Sequence, residues 1–309
     1  MTVNHSRSFP YQYSILDPTG NITALVESPV AICRQPEAAD ALMRLHPEVE
    51  QVGFVRFYKV GETGADPAGG TFGRDGIAGE LRMAGGEFCG NASMCAAVLC
   101  HLRRQEEGCR SGQKPGDEAS CMDMPMIRLQ VSGADRPVEV DLSCKPDGSF
   151  RAVLEMPPAL DITEDAFQIS SLSGQLPVVR MEGISHVIIE ENTVFYSLLR
   201  DKDMAEAAVR EWCGTLRADG LGLMFLESTG DRYKMTPLVY IPGSGTLFWE
   251  HSCASGSAAA GMYLARKYGR TVSAELWEPG GILRTESDPE SGTTKLEGTV
   301  RVVGHSRET

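Results

Sequence analysis

One arrangement occurs twice in this chain and constrains its fold more than any other feature of the sequence. A strand-like segment, an acidic residue, a cysteine and small residues that open an apolar helix occur around Cys89 and again around Cys253. The copies share little identity beyond the acid, the cysteine and the Ala-rich opening. Because they start about half a chain apart, an internal duplication into two similar domains is the simplest account.

The helix that follows each cysteine is predicted to be buried. The segment "GNASMCAAVLCHL" after Cys89 is apolar on every face, and "ASGSAAAGMYLA" after Cys253 is similarly rich in small apolar residues. A helix without a polar side is usually surrounded by the rest of its domain. Two further helices, over 36–45 and 201–217, have apolar residues at helical spacing. The other apolar segments are strand-like, which predicts an α/β (α+β) protein.

Length and charge bound the possible functions. The chain has 309 residues, enough for two domains of ordinary size, and we place their boundary near residue 126. The formal net charge of −13 argues against nucleic acid and disfavours an anionic membrane surface as partners. No segment approaches the roughly 20 apolar residues of a membrane helix. The N-terminus does not read as a secretory signal, and nine cysteines without a C-x-x-C pair favour the cytoplasm.

A cysteine at the start of a helix has a particular chemistry. The first N–H groups of a helix have no intrahelical acceptor, and the helix field there is positive. Such a site binds a carboxylate, and we expect it to lower the cysteine pKa from about 8.5 toward neutrality. If the two helix starts face each other, one small carboxylate is held by both, with a sulfur on each side of the adjoining carbon.

That geometry suits a two-base racemisation. One sulfur, as thiolate, removes the Cα proton, and the other, as thiol, returns a proton from the opposite face. The N–H groups at the carboxylate help because negative charge moves onto its oxygens as the proton leaves. The sequence therefore predicts Cys89 and Cys253 as the catalytic pair.

Other interpretations of the cysteines remain open at this point. Free cysteines are among the most buried residues, and we interpret the other seven as core or surface residues. These are Cys33, Cys95, Cys100, Cys109, Cys121, Cys144 and Cys213. A zinc site is disfavoured because neither Cys89 nor Cys253 has a second ligand at the usual short spacing. A carboxylate-binding or redox-sensing protein with a switching cysteine pair is the non-enzymatic alternative.

Four segments resemble the diaminopimelate epimerase-like amino-acid racemases, which work without pyridoxal phosphate. "EFCGNA" at 87–92 and "SCASGSA" at 252–258 resemble the two catalytic motifs of that family, with Ala254 in place of the usual glycine. "GN" at 20–21 matches an N-terminal Gly-Asn, and "GISHVII" at 183–189 resembles a segment with a histidine. Together they span most of the chain in the order of the family.

The resemblance implies a fold and a set of site residues. It implies two pseudo-symmetric domains, each a curved, mostly antiparallel sheet wrapped around a central helix, formed by 1–125 plus 289–309 and by 126–288. It implies that no cofactor or metal takes part. The predicted substrate-binding residues are the amides after each cysteine and three side chains from other segments. They are Gly90, Asn91, Ala254, Ser255, Asn21, Glu80 and His186.

The departures from the family pattern bear on the substrate. The stretch before Cys253 has no Glu-Arg pair, and arginine is the usual partner for the distal carboxylate of diaminopimelate. Glu80 lies about where the epimerase has an asparagine, and a carboxylate there suits a cationic or N–H-donating side chain. Glu87 and Glu250 are candidates to position a helix end or to meet the substrate ammonium group, with surface placement as the alternative for both.

The segments around both cysteines look most like the histidine racemases of this family, which supply D-histidine for metallophores. We therefore expect a small amino-acid substrate, with histidine as the best candidate. Diaminopimelate epimerase and hydroxyproline epimerase activities are the alternatives. A phenazine-biosynthesis type isomerase shares the fold but lacks the cysteines. A homodimer is also expected.

Overall fold

The computed structural model describes residues 9–58, 64–65, 71–72, 76–110, 124, 126–230, 232–243 and 245–306. Four α-helices lie in these ranges: α1 Gln35–Leu45, α2 Gly90–Arg110, α3 Lys202–Leu216 and α4 Ala254–Tyr268. Two 3-10 helices cover Ile32–Arg34 and Val194–Arg200. Within this described part of the chain, every helix is too short or too polar to cross a membrane.

The strands outnumber the helices. In the first half they are β1 Tyr13–Pro18, β2 Thr23–Val26, β3 Gln51–Phe57, β4 Gly64–Ala65, β5 Thr71–Phe72, β6 Ile77–Met83, β7 Ile127–Val131, β8 Val138–Cys144 and β9 Phe150–Glu155. In the second half they are β10 Asp161–Ile169, β11 Leu172–Met181, β12 Ile184–Glu190, β13 Leu221–Ser228, β14 Tyr233–Ile241, β15 Thr246–Trp249, β16 Val272–Glu278, β17 Gly281–Ser287 and β18 Thr294–His305.

Apart from the two-stranded sheet of β4 and β5, the strands form one continuous sheet, which β18 divides into two curved parts, called the first and second sheets. The first sheet has the order β1-β2-β3-β6-β7-β8-β9-β18 and closes into a barrel because β18 also pairs with β1. The second continues from β18 through β17-β16-β14-β13-β12-β11 to β10, and β15 adds to β14. Strands such as β8 alternate buried and exposed residues, as expected when one sheet face covers a core.

The two halves repeat the same connections. Each sheet is antiparallel except for two parallel pairs, which are β2–β3 and β6–β7 in the first half and β12–β13 and β14–β16 in the second. A parallel pair needs a long crossover, and here each crossover contains a helix. The first helix of each half, α1 or α3, packs outside its sheet, and the second, α2 or α4, lies inside.

The interior helices are buried as their composition predicts. Residues 92–100 of α2 and 256–265 of α4 are buried, and both helices contribute to one continuous apolar core. Trp212 of α3 is 1% exposed and centres a separate core on the outer face of the second sheet. The predicted fold class, two pseudo-symmetric domains with curved sheets around central helices, is confirmed.

The first sheet extends beyond residue 126, where we expect the domain boundary. Strands β7 to β9, residues 127–155, pair with β6 and β18 of the first sheet and pack on α2. Strand pairing thus places these three strands in the first sheet, and the domain boundaries stay a prediction. The last strand returns to the first domain by pairing with β1 and β9, but it also pairs with β17 and so belongs to both sheets.

A pair of glycines joins the two halves near the open end of α4. Gly20 has a positive φ of 98° in the turn between β1 and β2, and a Cβ there would lie 2.3 Å from the Cα of Gly280 in the β16–β17 turn. Only glycine permits both this backbone conformation and this approach. The contact fixes Asn21, the next residue, at the junction of the two halves.

Candidate active site

The starts of the two interior helices meet at one cavity. Cys89 immediately precedes α2, and Cys253 is the N-cap residue of α4. A Cβ on Gly90 would lie 3.0 Å from the Cβ of Ala254, so the first residues of the helices are in contact. Both cysteines line a cavity of about 740 Å³ between the two halves. Gly90, Asn91, Ala254, Ser255 and Asn21 line the same cavity.

Each cysteine sulfur caps its own helix. The N–H of Ala92 donates to Cys89 Sγ and the N–H of Gly256 donates to Cys253 Sγ, both at 3.4 Å. The N–H groups of the two residues between, Gly90 and Asn91 or Ala254 and Ser255, have no acceptor one turn earlier in the helix. Four backbone donors are thus presented at the meeting point of the helices.

The surroundings of the two sulfurs differ. Cys89 donates its S–H to Gln51 Oε1 of β3 at 2.9 Å. Cys253 instead has the Ser255 hydroxyl 3.7 Å from its sulfur, and Glu250 is close enough for its charge to raise the pKa of the Cys253 thiol. A second carboxylate, Glu278, accepts the N–H of Cys253 at 2.7 Å. The pseudo-symmetric halves therefore give one cysteine an amide neighbour and the other two carboxylates.

Burial raises the pKa values of both cysteines, whereas the sequence predicted lowered values. Withdrawal from water raises the pKa of Cys89 to about 12, against the lowering effect of the Ala92 amide. Burial also raises the pKa of Cys253 well above its ordinary value, and the nearby charges of Glu250 and Glu278 raise it further. The helix starts oppose these shifts but do not overcome desolvation. Both cysteines are therefore thiols at neutral pH.

Three carboxylates close to the cysteines are also perturbed. Burial raises the pKa of Glu250 to about 7 and that of Glu278 to about 8. Burial raises the pKa of Glu50 as well, against the lowering effect of His251. Glu250 and Glu278, both close to Cys253, therefore gain or lose a proton around neutral pH.

Two asparagines join the halves, and each has a side-chain oxygen without a hydrogen-bond partner among the described residues. The side-chain N–H groups of Asn21 and Asn91 both donate to the carbonyl of Ser252, at 2.8 and 3.2 Å. The Oδ1 atoms of both are buried and have no hydrogen-bond partner among the described residues. Buried acceptors are normally paired, so these two oxygens are available to a donor on a bound molecule.

A carboxylate from the first half contacts the second-half motif. Glu50 accepts from Asn21 Nδ2 at 3.1 Å and from the backbone N–H of His251 at 3.4 Å, and its other oxygen is hydrogen-bonded to His251 Nδ1. Glu50 also lines the cavity. This cluster ties β3, the β1–β2 turn and the segment before Cys253 together around the cysteines.

The cavity is acidic. Among the described residues that line it there is no lysine or arginine. Its acidic members are Asp40, Glu50, Glu87, Asp219 and Glu250. A bound carboxylate must therefore be held by backbone donors, and the remainder of the cavity favours positively charged or N–H-donating groups.

Glu80 does not lie in this cavity, which corrects its predicted place. It lies on β6, accepts a hydrogen bond from Tyr58 at 3.1 Å and lines a different cavity with Arg56 and Arg103. Neighbouring side chains on a strand point to opposite faces, and Leu81 takes the buried face toward α2.

His186 is also not a cavity residue. It lies on β12, is fully buried, and its two ring nitrogens have no hydrogen-bond partner within the described part of the chain. Burial lowers its pKa to about 3, so the ring is neutral. A Cβ on Gly222 would meet both this ring and Met224, which also lies close to Gly256. His186 therefore packs beneath the start of α4 and is not positioned as a substrate contact.

The remaining cysteines lie apart from the cavity. Cys95, Cys100 and Cys213 are buried, Cys33 is exposed and Cys144 is half-buried, and all are free thiols. Cys121 and the side chain of Cys109 lie outside the described residues. Among the side chains that the structure describes, no three His, Cys, Asp or Glu residues converge as metal ligands would.

Three residues of this site carry no signal that the sequence analysis used. Glu50 and Gln51 begin a strand directly after a polar turn, where acids and amides are common. Glu278 ends a strand in "LWEPGG", ahead of a Pro-Gly turn. These residues become part of the site only because the fold brings both strands to the helix starts. Glu250, by contrast, was identified as a candidate from its place before Cys253.

Comparison with known proteins agrees with this geometry. The sequence profile of the histidine racemase CntK N-terminal domain matches residues 11–307. A histidine racemase of Fusobacterium nucleatum subsp. nucleatum is 29% identical over 301 residues, 94% of this chain and 94% of that protein. A histidine racemase of Staphylococcus aureus strain Mu50 is 27% identical over 280 residues, 89% of this chain and 88% of that protein.

The fold has a counterpart among solved structures. A probable proline racemase from Agrobacterium radiobacter K84, solved with bound carbonate, superposes with a TM-score of 0.60 at 12% identity, covering 97% of this chain and 93% of that one. Fold and sequence together define an isomerase of the amino-acid racemase class. The chain belongs to the histidine racemase CntK family. The predicted resemblance is confirmed.

Proposed function

We propose that this racemase inverts the Cα centre of histidine, with Cys89 and Cys253 acting on opposite faces of the carbon. One observation carries the proposal: two cysteines, distant in sequence, lie at the starts of two buried helices that touch at the wall of one cavity. Every step below depends on that juxtaposition. The roles of the individual residues are part of the proposal.

The substrate carboxylate is held by the two helix starts. Four backbone N–H groups, from Gly90, Asn91, Ala254 and Ser255, are without intrahelical acceptors there. Both helix fields favour a negative charge at that point. As the Cα proton leaves, charge moves onto the carboxylate oxygens and these hydrogen bonds strengthen. One such donor typically contributes about 100-fold to 1000-fold in rate.

The ammonium group is held by the unpaired acceptors. The free Oδ1 atoms of Asn21 and Asn91 supply two, and the acidic lining of the cavity favours the positive charge. An ammonium ion has three donors and no acceptor, which matches this set. The positive charge of the ammonium group also stabilises the thiolate that forms at either cysteine.

Glu250 generates the thiolate. Its pKa of about 7 keeps it near half-ionised at neutral pH, and it lies close enough to Cys253 for each group to shift the pKa of the other. Transfer of the Cys253 proton to Glu250 leaves a thiolate, which removes the Cα proton and becomes a thiol again. Cys89 then gives its thiol proton to the opposite face and becomes a thiolate, and the enantiomer leaves. Transfer of the proton held by Glu250 to Cys89 restores the starting protonation state. The reverse reaction exchanges the two roles.

Histidine fits the charge of the cavity. Its imidazole is a donor when neutral and a cation when protonated, and the acids Asp40, Glu87 and Asp219 line the space beyond the cysteines. Diaminopimelate would place its distal carboxylate among these acids without a basic partner from the described lining residues. The similarity to two histidine racemases supports the same choice. The homodimer and the cytoplasmic location stay predictions.

The test is Cα exchange in D2O. Purified protein is incubated without pyridoxal phosphate with L-histidine, LL-diaminopimelate, trans-4-hydroxy-L-proline and L-lysine in separate reactions. We expect loss of optical activity and incorporation of deuterium with L-histidine. We expect Cys89→Ser and Cys253→Ser to lower the racemisation rate by at least about 1000-fold, since a general acid or base contributes about 100-fold to 10,000-fold. Cys213→Ser, in the outer core, is the matched control.

The outcomes separate the parts of the proposal. Exchange with another amino acid and none with histidine would refute the substrate. Racemisation at the wild-type rate by either active-site variant would refute the two-base assignment. Absence of exchange with every amino acid, while the cysteine pair oxidises to a disulfide, would instead favour the redox alternative.

A further inference from the structure

We propose that Gln51 is a positioning residue that keeps Cys89 in the protonated thiol form, so that Cys89 is the proton donor of the resting enzyme. The inference rests on the proposed function for its catalytic meaning. Its structural basis is a directed chain of hydrogen bonds through the first half of the molecule. Gln51 lies on β3 and its side chain reaches the cavity beside Cys89.

The chain of hydrogen bonds has four members. Cys89 Sγ lies 2.9 Å from Gln51 Oε1, and Gln51 Nε2 lies 2.8 Å from Thr23 Oγ1. Thr23 Oγ1 in turn lies 3.0 Å from the backbone carbonyl of Asn21. Thr23 is fully buried and Gln51 half-buried, so these groups are shielded from water.

The direction of the chain follows from the number of available protons. Thr23 donates its single hydroxyl proton to the carbonyl of Asn21, an atom that only accepts. Thr23 Oγ1 can therefore only accept from Gln51, which fixes the amide with its NH2 toward Thr23. The carbonyl end, Oε1, is left facing the sulfur of Cys89. An oxygen acceptor at 2.9 Å favours S–H and disfavours S⁻.

The second cysteine has no such acceptor fixed by the backbone. Its neighbours are Glu250, which can take its proton, and the Ser255 hydroxyl, which can rotate to donate to a thiolate. The two sulfurs are therefore prepared for different roles. Cys253 has a proton acceptor beside it in Glu250, whereas Cys89 holds its proton until substrate is bound.

Other titratable groups act on Cys89 as well. Glu87, two residues before it, and Glu250, from the second half, both raise its pKa through their charges. Cys95 of α2 is close enough to be affected by a charge on Cys89. None of these groups changes when Gln51 is replaced, so a comparison between Gln51 variants isolates the amide.

The test measures the Cys89 thiolate directly. Alkylation by iodoacetamide is followed by peptide-resolved mass spectrometry between pH 6 and pH 10, without substrate. In Gln51→Met, which is similar in size and a weak acceptor, we expect Cys89 to react about 10-fold faster at pH 8. That factor corresponds to a pKa lowered by about one unit. In Gln51→Glu, we expect slower alkylation, because a carboxylate replaces the amide.

Two further variants sharpen the test. Thr23→Val frees the Gln51 amide to rotate, and we expect faster alkylation that is smaller than in Gln51→Met and not additive with it. Gln12→Met makes the same chemical change in the first half, on a side chain without a hydrogen bond to the described residues. We expect its alkylation profile to match the wild type. Thermal unfolding of each variant reports folding.

The two substitutions are expected to change the alkylation rate of Cys89 in opposite directions, which separates a positioning role from simple packing. Damage to packing would change alkylation in the same direction for Gln51→Met and Gln51→Glu, and that result would overturn the inference. Unchanged pH profiles in both would overturn it too, even if kcat fell. If the profiles shift as expected but no amino acid is racemised, the proposed function fails while the thiol assignment stands.

Should Gln51→Met fail to fold, Thr23→Val and Gln51→Asn give the same readout. Gln51→Asn withdraws the oxygen by about one methylene, and we expect faster alkylation of Cys89. For the catalytic consequence, we expect Gln51→Met to lower kcat more than it changes KM, because the carboxylate and ammonium contacts are untouched. A change in KM alone, with kcat unaltered, would contradict the positioning role.

Discussion

The contact between the two helix starts sets the spacing of the cysteines, and Gly90→Ala perturbs it directly. The new Cβ would lie 3.0 Å from the Cβ of Ala254 and 3.1 Å from Met156 Sδ. Relaxed carbon contacts lie at about 3.5–4.0 Å, so the helix starts must separate by roughly 0.5–1 Å. Met156 is a flexible side chain and can move, whereas Ala254 belongs to the helix itself.

The cost in rate follows from that displacement. A misplacement of about 1 Å between reacting groups can cost about 100-fold. We therefore expect kcat for histidine racemisation to fall between about 10-fold and 100-fold in Gly90→Ala. Overpacking of this kind also lowers the free energy of unfolding by about 1–3 kcal/mol. Rate is measured by Cα deuterium exchange and loss of optical activity, and stability by urea unfolding.

The double variant decides whether the spacing is the cause. Ala254→Gly removes the opposing methyl group, so Gly90→Ala/Ala254→Gly restores the gap, and we expect it to recover at least about 10-fold of the lost rate. Gly214→Ala, on α3 with no atom within 4 Å of the added Cβ, is the matched control and should match the wild type. Wild-type rate in Gly90→Ala, or no recovery in the double variant, would refute the reasoning.

Two other predictions concern stability. The folded-state pKa of Glu278 is raised to about 8, so between about pH 4.5 and 8 the unfolded chain ionises first and wild-type stability falls as pH rises. Glu278→Gln should remove that fall in the free energy of unfolding, which is on the order of a few kcal/mol between pH 5 and pH 8. Urea unfolding at both pH values measures it, and parallel pH profiles of variant and wild type would contradict the prediction. Gly20→Ala, with its Cβ 2.3 Å from Gly280 Cα, should lower the Tm by several degrees more than Gly148→Ala, which has a positive φ but no atom within 4 Å. Equal losses would mean that the Gly20 contact is unimportant.

The fold was predictable because its strongest constraints are local. A helix that is apolar on every face must be enclosed, and two such helices after matching cysteines require two similar enclosures. The structure shows both, with α2 and α4 inside curved sheets. The sheet to which residues 127–155 belong was not predictable in the same way, because these residues form strands that resemble those of either half. Their assignment depends on long-range pairing with β6 and β18.

The sequence was sufficient to place the residues at the two helix starts. It was not sufficient for properties that depend on how deeply a residue is buried. The residues flanking Cys89 and Cys253 line the cavity as placed from the motifs. The cysteine pKa values were wrong because the sequence locates the positive helix end but not the burial that outweighs it. Glu80 was misplaced because alternation along β6, readable in "ELRMA", assigns Leu81 and not Glu80 to the inner face. His186 lies in a strand buried on both faces, where sequence gives no direction.

The unequal surroundings of the cysteines must be reconciled with a symmetric reaction. Enantiomers have equal free energies, so the equilibrium constant of a racemisation is one and kcat/KM is the same in both directions. No substitution can break that equality. An amide beside Cys89 and a carboxylate beside Cys253 therefore cannot favour one product, but they can make the resting enzyme ready for one direction and require a proton redistribution before the other. We thus expect the two values of kcat to differ, with KM differing in proportion. Gln51→Met should reduce that difference while the two kcat/KM ratios stay equal, and an unchanged difference would mean that Gln51 does not create the asymmetry.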